Sequence, residues 1–500
     1  MTKGAAAPIG RRRRPYALID IGSNSIRLVV YDLAGRMPVP LFNEKILCAL
    51  GETLGTTGRL HPPGVPMALA ALGRFAELAR RMKAVRIDAL ATAAVRDALD
   101  GPDFVLRAKR ELGLRLKVLS GGDEARLAAQ GVLCARPKAG GLVADLGGGS
   151  LDLMVLRNGR FGANASLPLG VLRLIGQIGE DRASALAIVN ESLADLDWLA
   201  KGKGQPLYAI GGSWRSLARL FIAQTGYPLQ VIDQFTLRRG QAEALCDLVS
   251  RQSRRSLEKF GAVSRKRLAA LPMAALVLLR LLQKAKPDRL IFSVHGVREG
   301  QFFQRLTPSK QREDALLSAA RDLAQERGRF PPHADEIAAW IDPLFPAADA
   351  KARRLRQAAV LLSDLFWHEH PDYRAEQAYL GVLRLPFMGL DHDERIFLAL
   401  VQHFRYQGGA DAPLIQRVMA LMPEERRQEA EALGLALRLG HVVSGGAPRL
   451  LATSRLGLID GMLALTAPPD HDAFTPDVVE KPLERLAKAL GIKTSVLLYS

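Results

Sequence analysis

Two short turns carry the first chemical signal in this chain. Asp20-Ile-Gly-Ser-Asn-Ser-Ile-Arg-Leu-Val-Val-Tyr31 and Asp145-Leu-Gly-Gly-Gly-Ser-Leu-Asp-Leu-Met-Val-Leu156 align without a gap at an offset of 125 residues. In each, an acidic residue ends an apolar run. A Gly/Ser turn follows, made of Gly22, Ser23, Asn24 and Ser25 in the first copy and of Gly147, Gly148, Gly149 and Ser150 in the second. Small residues let backbone N–H groups approach an anion closely, and the hydroxyls of Ser23, Ser25 and Ser150 add donors, so each turn can form a nest for a phosphate. One glycine-rich turn is an ordinary hairpin feature. Two of the same pattern, each introduced by a carboxylate, point to phosphates gripped between them. Asp20 and Asp145 are then placed to hold a divalent cation, or its waters, beside the phosphates.

The charge distribution agrees with a polyanionic ligand. The net charge is +18, but residues 1–310 hold 47 Lys and Arg against 25 Asp and Glu, whereas residues 311–500 hold 22 against 26. Residues 236–310 alone carry 16 basic and 5 acidic side chains. Such a field attracts polyanions and steers them in from solution. Arg254, Arg255, Arg265, Lys266 and Arg267 are the expected track for a long chain of phosphates.

The turns need elements to position them. Apolar runs at residues 16–21 and 142–146 lead into the two turns and further apolar runs leave them, so each copy reads as strand, tight turn, strand. Helix-periodic stretches follow at residues 65–83 and 182–199, and residues 207–210 and 289–294 read as strands of the second lobe. The expectation is two α/β lobes of related design, covering residues 15–136 and 137–310, after a flexible basic arm at residues 1–14 that includes Arg11, Arg12, Arg13 and Arg14. That arm has no apolar segment of the secretory type. The longest apolar stretch, residues 269–282, is short and is interrupted by Pro272 and Arg280, so no membrane span is expected. Cys48, Cys134 and Cys246 lie far apart and form no CxxC pair, which argues against a zinc site or a disulfide framework and fits a reducing cytoplasm.

Six segments in order resemble the exopolyphosphatase and guanosine pentaphosphate phosphohydrolase (Ppx/GppA) family, within the wider group of actin, sugar kinases and heat-shock ATPases. They are Ile19-Asp-Ile-Gly-Ser-Asn-Ser-Ile-Arg27, Ala91-Thr-Ala-Ala-Val-Arg96, Ser120-Gly-Gly-Asp-Glu-Ala-Arg126, Asp145-Leu-Gly-Gly-Gly-Ser150, Ile210-Gly-Gly-Ser213 and His295-Gly-Val-Arg-Glu-Gly300. The resemblance implies two ribonuclease-H-like lobes around a cleft. It also implies a catalytic Glu at Glu124 and a phosphate-gripping Arg at Arg96, whose five fixed donors suit a phosphoryl oxygen. Asp123 stands where the family has a first Glu, a departure that keeps the charge. Read from the residues alone, Ser120-Gly-Gly-Asp-Glu is a capped helix start, where the dipole favours an ionised Glu124. Asp152 falls where the family carries a Glu implicated in magnesium binding, and its shorter side chain favours a contact through water. Gly211, Gly212 and Ser213 imply a further loop on the cleft floor or a guanosine subsite, with Trp214 replacing a smaller residue usual nearby. His295 has two readings, a phosphate donor or a structural residue at a strand end.

From about residue 311 the pattern is helical with few strand signals. Long members of the family add here an all-α domain resembling the His-Asp dyad phosphohydrolases, spanning residues 311–500 in this chain. Ser363 occupies the His position of the dyad in Leu361-Leu-Ser-Asp-Leu365, so the metal site is expected to be incomplete. His368, His370, His392 and His403 are candidates for a substitute cluster, although their spacing matches no metal signature. Packing and dimerisation are the expected work of this domain.

The expected function is hydrolysis of the terminal phosphoanhydride of inorganic polyphosphate to release orthophosphate, with magnesium or another divalent cation. The alternative is removal of the 5′ γ-phosphate of guanosine pentaphosphate (pppGpp). An actin-like ATP-dependent kinase and a non-catalytic RNA-binding protein are the readings from other classes. Neither of those needs a carboxylate at Glu124. Nucleic acid is therefore not an expected partner, and a cytoplasmic homodimer is.

Overall fold

The computed structural model describes residues 13–179, 181–258, 261, 265–329, 333–346, 349–469 and 474–499. Of the basic arm, only Arg13 and Arg14 fall within these residues, and the side chains of Arg254, Arg265 and Lys266 fall outside them. The chain forms two compact units that meet in sequence between Arg312 and Glu313.

The first unit contains two sheets of one design. Its first sheet has strands β1 (Pro15–Ile21), β2 (Ser25–Asp32), β3 (Pro40–Leu47), β4 (Arg86–Ala91) and β5 (Leu116–Val118) in the order β3-β2-β1-β4-β5. The second has β6 (Gly141–Leu146), β7 (Leu151–Arg157), β8 (Arg160–Leu167), β9 (Leu207–Ile210), β10 (Thr236–Arg238) and β11 (Arg289–Phe292), in the order β10-β11-β9-β6-β7-β8. In both, three antiparallel strands are continued by two parallel ones, and β10 adds an antiparallel edge to the second. The repeat seen in sequence is thus a repeat of topology. It extends to the register: Asp20 pairs with Arg27 across the first hairpin, and Asp145 pairs with Asp152 at the same place in the second.

Alternation along β1 shows how the first sheet is covered. Ala17, Ile19 and Ile21 enter one core with the helix Gly64–Arg81, which supplies Leu69, Leu72 and Phe75. Tyr16 and Leu18 face the other way, against Leu127 and Phe302. A central strand covered on both faces is apolar throughout. Leu127 belongs to the helix Gly121–Ala135, whose Ala125, Ala128 and Val132 pack on Val143 and Met154 of the second sheet. This helix lies between the sheets, which accounts for apolar residues on more than one of its faces.

A second helix, Val297–Arg305, crosses it at glycines. A Cβ on Gly300 would stand 2.0 Å from the Leu127 carbonyl oxygen, and one on Gly131 would stand 2.3 Å from that of Gly296. Asp88 fastens the same helix to the first sheet by accepting from Tyr16 Oη (2.7 Å), Gln301 Nε2 (2.8 Å) and Arg305 Nε (2.6 Å). The two helices carry Glu124 and Arg298 at their starts.

The second unit is mainly helical. Its longest helices are His392–Arg405, Glu424–Ser444 and Pro476–Ala489. A small sheet completes it, with β12 (Arg455–Ile459), β13 (Met462–Ala467) and β14 (Ser495–Tyr499). This sheet adds to the all-α expectation. Among the described residues, no helix is long and apolar enough to cross a membrane.

Candidate active site

The two turns close with the same bond and face each other. Gly22 N–H donates to the Ser25 carbonyl at 3.1 Å, and Gly147 N–H to that of Ser150 at 2.9 Å. Their other carbonyls are tied back into the protein. Gly51 N–H takes the Ser23 oxygen at 2.8 Å and Ala49 N–H the Asn24 oxygen at 3.1 Å, while Leu172 and Arg173 N–H groups take the Gly148 oxygen at 2.9 and 3.1 Å. The turns also touch. A Cβ on Gly149 would lie 2.9 Å from Ser23 Oγ and 2.8 Å from the Ala93 Cβ, so the second turn admits only glycine here without displacement.

Between them opens a cavity of about 290 Å³. Its walls include both turns, a third loop of Gly211, Gly212 and Ser213 at the end of β9, and the start of the helix Val297–Arg305. Gly211 has φ +110°, and a Cβ on it would meet the Leu146 carbonyl oxygen at 2.3 Å, so its glycine is required by both torsion and space. Strand ends from two sheets and the N-termini of helices therefore converge on one cavity, an arrangement suited to anions.

Glu124 lines this cavity from the first turn of the helix Gly121–Ala135. The helix is capped by Ser120, whose Oγ accepts from Asp123 N–H at 3.1 Å. Arg96 reaches Glu124 from behind, with Nη1 donating to Oε2 at 2.9 Å and to the Leu119 carbonyl at 3.2 Å, while its Nε donates to Asp97 Oδ1 at 3.0 Å. Burial and the neighbouring Asp152 raise the Glu124 carboxyl well above the usual range, and Arg96 works against them. Asp20 and Asp145 line the cavity at the strand ends. Burial, then Asp152, pushes Asp145 up to about 7, and burial pushes Asp152 up to about 6. Asp152 sits behind the wall, where Oδ2 accepts from Ser150 Oγ at 2.8 Å and Oδ1 is buried with no hydrogen-bond partner.

Five cations answer these carboxylates: Arg27, Lys45, Arg215, Arg267 and Arg298 all line the cavity. Arg298 Nε lies 3.7 Å from Asp20 Oδ2. Burial, then Arg298, lowers Arg215 to about 10. Burial and the charge of Arg267 lower Lys45 to about 8. Cations lowered by burial and by one another favour a bound anion, which offsets both costs.

Residues 29–308 match the Ppx/GppA phosphatase family, and residues 316–497 match the C-terminal domain of exopolyphosphatases. The chain belongs to the Ppx/GppA phosphatase family. Exopolyphosphatase 1 of Mycobacterium leprae is 32% identical over 215 residues, which are 41% of this chain and 63% of that protein. The match thus spans less than two thirds of that relative. A guanosine-5′-triphosphate,3′-diphosphate pyrophosphatase of Photobacterium profundum is 23% identical over 85% of each chain. The crystal structure of the Aquifex aeolicus member of the family superposes with a TM-score of 0.50 at 26% identity, covering 58% of this chain and 96% of that one. The duplicated actin-like lobes and the helical C-terminal domain are the architecture of this family.

The sequence reading brings most of its candidates into one cavity. Glu124, Asp20, Asp145 and all the residues named in the three loops line it, whereas Asp152 stands behind Ser150 and Arg96, expected to grip a phosphate, is outside the lining with its guanidinium bonded to Glu124, Asp97 and the Leu119 carbonyl. Arg27, Lys45, Arg215 and Arg298 were missed as ligand-facing cations. Their signal is long-range, since they stand on four elements that only the fold brings together. Of the expected track, the side chains of Arg254, Arg265 and Lys266 lie outside the described residues. Arg267 alone of its five residues lines the cavity among those described, with Nη1 3.3 Å from Ser216 Oγ. Arg255 is exposed on the short helix Arg254–Glu258 and is no part of the lining. Trp214 is fully buried, with Nε1 donating to the Ala274 carbonyl at 2.9 Å, so it anchors the helix Gly212–Thr225 and leaves the cavity floor to Gly212 and Ser213. His295 is buried 3.5 Å from Asp233 and does not line the cavity.

The substitute histidine cluster in the second unit is also corrected. His368 and His370 are exposed, His392 begins a helix, and His403 Nε2 lies 3.0 Å from the Gly409 carbonyl oxygen. The histidines that gather near Ser363 are instead His441, with Nε2 2.8 Å from Ser363 Oγ, and His333, with its ring centroid 5.8 Å from that of His441. Asp364, beside Ser363, is held by Arg329 through bonds of 2.6 and 2.9 Å. A guanidinium thus neutralises the carboxylate. Among the described residues, no group of three or more His, Cys, Asp or Glu could hold a metal ion by itself.

Proposed function

We propose that the chain is a phosphoanhydride hydrolase that removes the terminal phosphate from linear inorganic polyphosphate. The observation that carries this reading is the placement of Glu124. A buried carboxylate of raised basicity, ion-paired to Arg96, borders a cavity with two phosphate-nest turns and five cations. A carboxylate whose proton affinity is raised by burial and by Asp152 accepts a proton more readily than an ordinary one, and the ion pair with Arg96 favours its ionised form. Water held by Glu124 attacks the terminal phosphorus and gives its proton to Oε1 or Oε2. The bridging P–O bond breaks, and the shortened chain leaves with the electron pair. The turn amides, Ser23, Ser25 and Ser150 hold the terminal phosphate, while Arg27, Arg215, Arg298, Lys45 and Arg267 take the charge of the phosphates behind it.

A hydrated divalent cation, magnesium being the natural one, fits the carboxylate side. Asp20 and Asp145 face the cavity, and the unpartnered buried Oδ1 of Asp152 lies behind Ser150. These residues are too few for a protein cage and suit an ion that keeps waters and shares substrate oxygens. Such an ion would offset charge on the phosphoanhydride as it breaks.

Cleavage of pppGpp is the second reading, favoured by the guanosine-5′-triphosphate,3′-diphosphate pyrophosphatase that aligns over 85% of this chain. It uses the same terminal anhydride. A homodimer and a cytoplasmic location remain part of the proposal, as does the division of the first unit at residues 136 and 137. The deciding experiment measures phosphate release from long-chain polyphosphate and from pppGpp side by side, with magnesium and with a chelator. Release from polyphosphate that stops on chelation supports the first reading. Release from neither substrate with magnesium present would overturn both.

A further inference from the structure

One ion pair crosses the cleft without lining it. Arg173 stands in the helix Val171–Ile178, which follows the second hairpin, and its Nη2 donates to Asp97 Oδ2 of the first lobe at 2.6 Å. The side chains are 15% and 29% exposed, so the pair is sheltered in a way that exposed surface pairs are not. Each partner continues into the site. The backbone N–H of Arg173 donates to the carbonyl of Gly148 in the second turn at 3.1 Å. Asp97 Oδ1 accepts from Arg96 Nε at 3.0 Å, and Arg96 Nη1 holds Glu124 Oε2 at 2.9 Å. An unbroken chain of hydrogen bonds therefore runs from the second phosphate turn through Arg173, Asp97 and Arg96 to Glu124.

We infer that Arg173 and Asp97 are positioning residues, which set the angle of Arg96 and Glu124 against the second turn and hold the two lobes in register on that side of the cleft. The inference rests on the hydrolase reading for its consequence in turnover, but not for its geometry. Asp97 presents one oxygen to each lobe, so the Arg96 guanidinium is fixed at Nε by a group that the other lobe anchors. Without the pair, Arg96 keeps its bonds to Glu124 and Leu119 but is no longer referred to the turn that holds the phosphate. Binding of the chain, which depends on the turns and the five cations, is left in place. The rate of the chemical step falls, because reacting groups held even about 1 Å out of place lose rate steeply.

The test uses the full chain with Arg173→Gln, Asp97→Asn, the double variant and Arg173→Lys, each first checked for an unchanged thermal midpoint. Phosphate release from polyphosphate is expected to lose about tenfold in kcat for each single variant, with KM changed less than about twofold, and the double variant should be no worse than either single one. Arg173→Lys should recover a large part of the rate. Independently of activity, spin labels on cysteines introduced at the exposed positions Leu106 and Lys201, one in each lobe, should give a broader distance distribution in Arg173→Gln than in the parent. Multiplying losses in the double variant, an unchanged kcat in the singles, or an unchanged distance distribution would each overturn the inference. Should the parent protein release no phosphate, the hydrolase reading fails, and the label distances alone decide the role of the pair.

Discussion

Glu124 and Asp145 are both carboxylates pushed up by burial, yet their surroundings assign them different work. Only Glu124 has a guanidinium bound directly to it, at 2.9 Å, which lets it remain ionised beside an incoming anion. Glu124→Gln should therefore lower phosphate release by about a hundredfold or more while polyphosphate still binds, as checked by turnover and by equilibrium binding on the same preparation. Asp145, raised to about 7, costs stability where it must ionise. The sign follows from proton counting. Between about pH 4 and pH 7 the folded state binds more protons at this site than the unfolded chain, so stability falls as pH rises through that window. Asp145→Asn removes the penalty. With chelator present, its thermal midpoint should exceed that of the parent by roughly 2 °C or more at pH 8 and show no gain at pH 4. A gain of equal size at both pH values would mean that packing, not charge, is responsible.

At the scale of elements, the fold places its precision in the approach of the two turns. Gly149→Ala puts a methyl group against Ser23 and Ala93, on the opposite side of the cavity. The turns must separate, and kcat/KM should fall by about tenfold to a hundredfold, with far less effect on the unfolding midpoint, since no core side chain is altered. The hairpins were legible because their pattern is local: acid, turn and apolar run all fall within a dozen residues. Glu124 and Arg96 came from a resemblance, since nothing in their own sequence neighbourhood links them across 28 positions. The β12–β13 hairpin was written in the sequence and was overlooked. Asp460-Gly461 joins its strands, with φ of +50° and +77°, the dipeptide that a two-residue hairpin turn favours. Helical periodicity on both sides of residues 455–467 hid it. His333 and His441 could not have been paired from spacing, because the helices that bring them together are separated by about eighty residues of intervening chain.

On the scale of the whole chain, the basic excess of residues 1–310 supplies five cations to the cavity wall, with Arg267 at the end of the basic run 251–267 among them. Lys45 and Arg267 stand on separate elements and border the same cavity as the turns. Replacing both with Gln should raise KM for long polyphosphate and flatten the dependence of log affinity on log salt by about one for each cation removed. Arg255→Gln and Arg251→Gln should leave both unchanged. Lys45 adds a pH signature. It is charged below about 8 and neutral above, so affinity for polyphosphate should decline as pH rises through 8, and Lys45→Gln should abolish that decline. Titrations at two salt concentrations and at pH 7 and 9 separate these effects.

The bridge from Arg173 to Asp97 joins the two lobes one guanidinium away from Glu124, and we expect it to stop the cleft on that side. A passage stopped in this way can admit a free end but cannot be threaded by a strand that continues in both directions. The enclosure therefore acts as a census of substrate ends. Interior anhydrides of a linear chain should be reached only in turn, as each becomes terminal. A ring of phosphates such as cyclic trimetaphosphate has every bond the enzyme breaks and no end to offer, so it should survive in the presence of the active protein until alkali opens it. Phosphate release from the intact ring at the rate of the opened one would show that the cleft is open on the side where the ion pair stands.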